Sequence, residues 1–220
     1  MFRLTFLILL ASLAYADFEE VWVQKYAFAA GVDLAFTKGD LDGLSKINSG
    51  KNSPFPEEVI LPKVPFLLVY ALDARALANA HSIIFNFGLG FPDYEHKPSG
   101  QSGEARYLRM GIEYQYSFLW PEPFRISTGL GLAFSSMRFP YASFGAETGQ
   151  WSYANFTGNG GHAVISAQYY FVENFAVESA IRFRLLYLNR VATDLNDVSM
   201  LSDAIWQRAL ELGLRGMFVF

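Results

Sequence analysis

The chain has 220 residues, of which 52% are hydrophobic, 17% aromatic and 17% charged, and it contains no cysteine. The charged fraction is below the roughly 25% of an ordinary soluble domain, and this composition excludes an intrinsically disordered, collagen-like or coiled-coil chain. A disulfide scaffold is excluded because there is no thiol to bridge. A net charge of −4 without a Lys or Arg cluster excludes nucleic acid as a partner.

Residues 1–16 have the three parts of a secretory signal peptide. Arg3 supplies a positive charge, an apolar run extends from Leu4 to Leu13, and small residues at Ala14 and Ala16 mark the cleavage site. The run is too short for a membrane anchor, which needs about 20 apolar residues. We therefore predict cleavage of residues 1–16, export through the Sec route and a mature domain at 17–220.

Eight later segments alternate between apolar residues and small or polar ones, which is the period of a β-strand. In 26–38, for example, the even positions are mostly large and apolar, whereas the odd positions are small or polar. No later stretch is apolar for long enough to cross a membrane as a helix, because charged residues, Gly or Pro interrupt each candidate. The predicted strands are 26–38, 62–73, 81–91, 106–118, 124–134, 162–171, 175–189 and 206–220.

The connections between these strands alternate in length. Long ones occupy 39–61, 92–105, 135–161 and 190–205, and short ones occupy 74–80, 119–123 and 172–174. Outer-membrane barrels have long loops on the outer face and short turns on the periplasmic face, and bacterial examples have an even number of strands. The sequence therefore predicts an all-β fold, a transmembrane antiparallel up-and-down β-barrel of eight strands with four extracellular loops.

A soluble β-sandwich is the alternative, because its strands also have alternating faces. Its polar face would meet water and be rich in Lys, Glu and Thr. Here the less apolar face carries Gly, Ala and Ser with few charges, as suits the narrow interior of a small barrel. Aromatic residues also cluster at the strand ends, where they would lie at the membrane interface. Both features favour the barrel.

The last strand ends in the sequence LELGLRGMFVF, with Phe218 and the terminal Phe220 at alternating positions. This ending resembles the signature by which the barrel assembly machinery recognises bacterial outer-membrane proteins, although Gly216 replaces the usual apolar residue. The whole mature chain resembles the small eight-stranded barrels of the OmpA-transmembrane, OmpX and OmpW type. The resemblance implies the cell outer membrane as location. It also implies two partners, the outer-membrane lipids including lipopolysaccharide and, during biogenesis, the assembly machinery.

The positions predicted to face the lumen carry nearly balanced charges. They are Asp33, Glu113, Glu178 and Glu211 against Arg109, Arg125, Arg182, Arg184 and Arg215. Unpaired charges would be costly in so narrow a space, so we predict salt bridges that fill and close the lumen. A charged constriction that selects ions is the alternative.

Two prolines, Pro62 and Pro65, fall where the second strand is predicted to begin. Proline cannot donate to the strand ladder, so a local gap in the pairing is expected. The prolines either begin the strand at the loop boundary or flank a lateral opening for small hydrophobic ligands, as in OmpW-type conduits.

Residues 139–159, within the third long connection, are rich in aromatic residues and have one charge, Glu147. The rings are predicted either to form a surface that binds sugars or proteins or to fold back over the barrel mouth. They are Phe139, Tyr141, Phe144, Trp151, Tyr153 and Phe156.

No complete catalytic or metal site is visible. His81, His96 and His162 lack nucleophile and acid partners at the spacing of known barrel enzymes, and Asp40–Gly43 and Asp194–Asp197 lack the terminal Glu of a calcium loop. We therefore predict no enzymatic activity, no cofactor and no metal.

Arg106 and Arg208 lie on the predicted lipid face near the outer ends of their strands, where guanidinium groups could pair with lipid phosphates. Two functional classes remain. One is a structural or adhesive barrel that acts through its outer loops. The other is a narrow porin-like conduit for small hydrophobic solutes.

Overall fold

The computed structural model describes residues 25–48, 58–96, 100–119, 123–140, 153–193 and 199–220. The predicted signal peptide lies outside the described residues. Within those ranges there are twelve strands: β1 (Lys25–Gly39), β2 (Lys46–Asn48), β3 (Glu58–Ile60), β4 (Phe66–Ala78), β5 (His81–Gly90), β6 (Asp93–His96), β7 (Gln101–Glu104), β8 (Arg106–Leu119), β9 (Phe124–Pro140), β10 (Tyr153–Val172), β11 (Phe175–Thr193) and β12 (Ser199–Val219).

Eight of these strands close into an antiparallel barrel in the order β1-β12-β11-β10-β9-β8-β5-β4, with β4 paired back to β1. The predicted eight-stranded barrel is confirmed, and the β-sandwich alternative is wrong. At the β1–β12 seam the Tyr26 amide donates to the Phe220 carbonyl at 3.0 Å, and the Phe220 amide donates to the Tyr26 carbonyl at 2.9 Å. Phe218 lies opposite Phe28 in the same pairing, so the predicted assembly signal forms part of the seam.

The outer wall of the barrel is apolar. Large side chains at alternate positions point outward, among them Leu132 and Phe183, each more than three-fifths exposed. Aromatic rings gather at both ends of this belt, with Phe220 stacked on Phe28 at one end and Tyr187 beside Trp206 at the other. Such a wall suits hydrocarbon bounded by two interfaces. No helix in the described ranges is long and apolar enough to cross a membrane.

Several strands extend beyond their predicted ends. β9 continues to Pro140, and β10 begins at Tyr153 instead of 162. In these extensions the pattern is inverted, since outward Ser136 and Arg138 are polar whereas inward Met137 and Phe139 are buried. On β9 the alternation that places apolar residues outward therefore ends at 134, although the strand continues to Pro140. We call this extended end of the barrel the outer end and the opposite one the short-turn end.

The second barrel strand also differs from its prediction. It spans Phe66–Ala78 rather than 62–73, so Arg75 lies on the strand and not in the predicted connection 74–80. Two small sheets, β2–β3 and β6–β7, lie in the connections at the outer end. The Lys63 amide donates to the Glu95 carbonyl at 2.8 Å, which ties the two connections together.

Candidate functional site in the barrel interior

The interior is divided into three layers along the barrel axis. A small apolar layer closes the short-turn end, a charged layer occupies the middle, and an apolar upper core fills the outer end. The short-turn layer consists of Ala27, Ala29, Leu77, Ala176, Met217 and Val219. The upper core consists of Ala35, Leu41, Ile47, Leu61, Val64, Leu67, Val69, Tyr94, Ala105, Tyr107, Met137, Phe139, Ala154, Phe156, Leu186, Leu188, Val191, Leu201, Ile205 and Ala209.

The charged layer contains equal numbers of acids and arginines, and each is at most 3% exposed. This balance allows every buried charge to have a counter-ion, which is the condition for burying charge at acceptable cost. The members are Asp33, Asp73, Glu113, Glu178 and Glu211 with Arg75, Arg109, Arg182, Arg184 and Arg215.

Asp33 lies at the centre of the layer. Its Oδ2 accepts hydrogen bonds from Arg215 Nη2 at 2.7 Å and from Arg109 Nη2 at 2.8 Å. Arg182 Nη1 is 3.7 Å from the other oxygen. One carboxylate on β1 therefore connects arginines on β8, β11 and β12.

Glu178 forms the contacts nearest the short-turn layer. Arg75 donates to both of its oxygens, at 2.6 and 2.8 Å, and Gln168 Nε2 donates at 2.7 Å. Arg75 also donates to Asp73 at 2.7 Å. A two-pronged guanidinium contact of this kind fixes both partners in orientation as well as in distance.

Glu211 forms a second two-pronged pair nearer the upper core. Arg184 Nε and Nη2 donate to its two oxygens at 2.7 and 3.0 Å. Arg109 Nη1 donates to the same carboxylate at 3.0 Å. Because Arg109 also contacts Asp33, the pair of Glu211 and Arg184 belongs to the same network of ion pairs as Asp33.

Glu113 holds the remaining members. Its Oε2 accepts from His162 Nε2 at 2.6 Å and from Arg182 Nε at 3.0 Å, and its Oε1 accepts from Gln115 Nε2 at 2.6 Å. The imidazole lies directly over Gly131, where an added Cβ would be 2.3 Å from His162 Cε1. The glycine thus provides the space that the imidazole occupies.

Eight of the nine side chains predicted for the lumen meet in this layer, and Arg125 does not. Arg125 lies at the short-turn end, where Nε donates to Ser117 Oγ at 2.5 Å and Nη2 donates to the Asn79 carbonyl. Arg75 was missed because the second strand was predicted to end at 73, and Asp73, the last residue of that predicted strand, was not assigned to the lumen. Continued alternation through Leu77 is the signal that could have placed Arg75 on the strand.

Two of the predicted surface-loop aromatics are buried in the upper core. Phe139 and Phe156 have no exposed surface, and their ring centroids are 6.0 Å apart. Tyr94 packs edge-on against Phe139 at 5.2 Å and donates to the Pro140 carbonyl at 2.8 Å. The prediction of a binding surface is therefore wrong for these two rings, because inward alternation continues through them.

The other members of that set have different positions. Tyr153 is half-buried, and its ring lies 3.9 Å below the Arg138 guanidinium carbon. Tyr141, Phe144 and Trp151 lie outside the described residues.

The segment that contains Pro62 and Pro65 is hydrogen-bonded to its neighbours. The Thr37 amide donates to the Pro65 carbonyl at 3.3 Å, and the Val64 amide donates to the Leu41 carbonyl at 3.0 Å. Both prolines precede β4, which begins at Phe66. The expected gap in pairing is not found at these residues, and the prolines lie at a strand start.

The remaining polar groups of the outer end have local roles. Asp42 Oδ1 accepts from the Leu44 and Ser45 amides at 2.7 Å each, which is the geometry of an Asx turn. Desolvation opposes ionisation of Asp42, but these hydrogen bonds outweigh it and lower its pKa. His96 Nε2 donates to the Ile60 carbonyl at 3.0 Å, while burial lowers the pKa of His96. No cluster of three potential metal ligands occurs among the described residues.

Comparison with known proteins identifies the fold. No protein-family model matches the sequence, and no curated protein matches it. The outer membrane protein OprG from Pseudomonas aeruginosa matches with a TM-score of 0.53 and 10% identity, over 89% of this chain and 95% of OprG. Neisserial surface protein A matches with a TM-score of 0.51 and 13% identity, over 86% of this chain and 95% of that protein.

A third solved structure, the outer membrane protein AlkL in lipid bilayers, matches with a TM-score of 0.51 and 13% identity, over 89% of this chain and 90% of AlkL. At these identities the likeness concerns the fold. The chain has the fold of the small eight-stranded outer-membrane β-barrels, as the resemblance of its sequence implied.

Proposed function

We propose that this chain is a closed, non-enzymatic outer-membrane barrel with a structural or surface-interaction role carried by its outer end. The filled lumen is the observation that carries the proposal. In the charged layer no acid or arginine is more than 3% exposed. Eight strands leave an interior only wide enough for side chains, and here those side chains are fixed by two-pronged ion pairs.

Three observations support the membrane location. The outer wall is apolar between two aromatic zones, the fold is shared with outer-membrane proteins, and the sequence predicts a signal peptide at 1–16. If the short-turn end faces the periplasm, the four long connections and the upper core face the outside. This orientation gives the cell a rigid platform for its outer connections.

Conductance of the refolded protein in planar bilayers tests the closed lumen. We expect no discrete openings from protein that is shown to be folded by its heat-modifiable electrophoretic mobility. Reproducible openings, absent from protein-free bilayers, would contradict the proposal and favour an ion path along the arginines.

The surface role requires a separate test. Residues 142–151 can be replaced by a short Gly-Ser linker without removing any residue of β9 or β10. Cells that display the protein are applied to a glycan array and to a panel of immobilised matrix proteins. We expect wild-type binding to at least one surface and its loss in the replacement variant. Equal binding by both would place the interaction elsewhere.

The histidines support the absence of catalysis, since each already has a structural partner. His81 Nδ1 and the Tyr114 hydroxyl share a hydrogen bond of 2.6 Å, while His162 is held by Glu113 inside the barrel. Among the described residues, neither is hydrogen-bonded to a serine or threonine hydroxyl that it could activate as a nucleophile. Expression of the protein should leave the mass spectrum of the host's lipid A unchanged, and a new lipid A species would overturn this assignment.

A conduit for small hydrophobic solutes is the second candidate, favoured by the apolar character of the upper core. This function would require the core to open, because Leu61, Phe139 and Phe156 fill it with no exposed surface. Uptake of n-octane by expressing cells separates the candidates. If the lumen is closed, we expect n-octane uptake equal to that of cells with an empty vector, whereas faster uptake would favour the conduit.

A further inference from the structure

Basic residues face outward in a row across neighbouring strands at the outer end. Arg106 of β8 lies directly opposite Arg138 of β9, and both are exposed. The row continues to Asn155 of β10, which is opposite Arg138. One step nearer the middle of the barrel, Arg190 of β11 lies opposite Thr157. We call Arg106, Arg138 and Arg190 the arginine patch.

The patch lies immediately beyond the apolar wall. Along β9 the outward positions change from Leu132 and Phe134 to Ser136 and then Arg138. On β11 the exposed Tyr187 precedes Arg190 by three residues. Interfacial aromatic rings mark the level of lipid headgroups, so the guanidinium groups lie at or just outside that level.

The arginine patch has no carboxylate partner within the described ranges. Ion pairs of the barrel involve the five interior arginines, and none joins an acid to Arg106, Arg138 or Arg190. Glu104 lies two residues beyond Arg106, but it is opposite Asp93 and forms no ion pair with the guanidinium. Like charges directly opposite in a sheet are destabilising, unless an anion lies between them.

Neighbouring groups hold part of the patch in place. The Arg138 guanidinium lies over the Tyr153 ring at 3.9 Å, a cation–π contact that fixes its plane. Ser136 Oγ donates to Asn155 Oδ1 at 2.7 Å, which orients the Asn155 amide beside Arg138. The row thus presents two guanidinium groups and an amide on adjacent strands about 5 Å apart, a spacing that one phosphate can bridge.

We propose that the arginine patch binds phosphate groups of lipid headgroups in the outer leaflet. Guanidinium groups recognise phosphate by two parallel hydrogen bonds, and a phosphate between Arg106 and Arg138 relieves their mutual repulsion. This inference rests on the proposed membrane location. Of the three arginines, Arg106 was expected on the lipid face, whereas Arg138 and Arg190 fell in predicted loops.

A second pair of opposed cations provides a matched control. Lys38 of β1 and Arg208 of β12 are direct partners and face outward. Their neighbours on the same face are Phe36 and Leu210, and Asp40 lies two residues beyond Lys38. This pair has the same formal charge as Arg106 with Arg138, but it has no third arginine beside it and, among the described residues, no cation–π contact like that of Arg138 with Tyr153.

The test measures binding of lipid A by the refolded mature protein in detergent micelles, using microscale thermophoresis. The probes are diphosphorylated lipid A, the same lipid after enzymatic removal of its phosphates, and inorganic phosphate. The variants are R106Q/R138Q and the control K38Q/R208Q, each shown to be folded by heat-modifiable mobility. The milder variant R190Q, expected to weaken binding about threefold, keeps the test valid if the double variant does not fold.

We expect R106Q/R138Q to weaken binding of the diphosphorylated lipid about tenfold and K38Q/R208Q to weaken it much less. Equal weakening by the two double variants would indicate net charge alone and overturn the proposal. Equal affinity for the dephosphorylated lipid would overturn it in favour of acyl-chain contact. Competition by equimolar inorganic phosphate would assign the patch to free phosphate instead of lipid. Channel openings would contradict the closed lumen without changing these affinities, so the two proposals fail separately.

Discussion

The charged layer and the upper core are built from the same strands with opposite rules. In the charged layer polar side chains point inward and apolar ones outward, whereas around the upper core Phe139 and Phe156 point inward while Arg138 points outward. The difference shows that the surrounding medium decides which face of a strand is apolar. On β9 the inversion occurs between Phe134 and Ser136, and this point marks the level where the hydrocarbon ends.

The largest expected effect on stability comes from a substitution that breaks the charged layer. Glu178→Ala removes the carboxylate of Glu178 that Arg75 and Arg215 both contact. Removing one partner of a buried ion pair typically costs about 3–5 kcal/mol. We expect a loss of this size in the free energy of unfolding, measured by urea titration in lipid vesicles. Arg125→Ala, at the half-exposed short-turn end, is the control, and an equal loss there would contradict the special role of the layer.

A cavity in the upper core should cost somewhat less. Phe156→Ala removes a ring that is fully buried against Phe139. Core substitutions of this type cost about 3–5 kcal/mol, and we expect the lower part of that range because the site is near the barrel mouth. The same urea titration measures it, with Phe134→Ala on the lipid face as control. If Phe134→Ala were the more harmful change, the upper core would not be a packed core.

Two glycine substitutions on the neighbouring strands β9 and β10 compare a crowded position with an open one. Gly131→Ala would place its Cβ 2.3 Å from His162 Cε1, whereas at Gly161 the nearest atom is 3.5 Å away. We expect Gly131→Ala to destabilise by about 1–3 kcal/mol, as overpacking does, and Gly161→Ala to have little effect. Unfolding midpoints of the two variants provide the measurement, and equal midpoints would show that the imidazole can move freely.

The smallest expected effect concerns pH at the outer end. Burial lowers the pKa of His96, so the neutral imidazole is favoured in the folded state. The stabilisation is complete above the unfolded pKa, about 6.5, and declines as the pH falls from there through the lower folded pKa. We expect hydrogen-exchange protection of the Lys63 and Glu95 amides to decrease over this window. His96→Gln should remove the dependence, and an unchanged profile in that variant would contradict it.

The barrel itself could be predicted from the sequence, because period-two alternation and loop lengths survive small errors at strand ends. The strand ends could not, since the predictions assumed one medium along each strand. Because of that assumption, the fifth strand was predicted to end at 134, and Phe139 and Phe156 were assigned to a surface loop. The same assumption also left Arg138 and Arg190 out of the strands that place them on the outer wall.

The charged layer was partly predictable. Alternation identifies which side chains face inward, and it found Asp33, Glu113 and Glu211 without any structure. It does not identify partners, because Asp33 and Arg109 belong to β1 and β8, which are three strands apart around the ring and do not pair with each other. Their contact depends on the curvature and stagger of the closed barrel, neither of which is written in local sequence.

The ion pairs of Asp33 join strands that are far apart in the chain, and this separation affects the kinetics of membrane insertion. Its counter-ions Arg109 and Arg215 are on β8 and β12, and the chain segments that carry Asp33 and Arg215 are 182 residues apart. A partly inserted sheet would expose these charges to acyl chains before their partners arrived, at a cost of several kcal/mol each. We therefore expect insertion and ring closure to occur as one cooperative step, without a stable half-inserted intermediate in the bilayer.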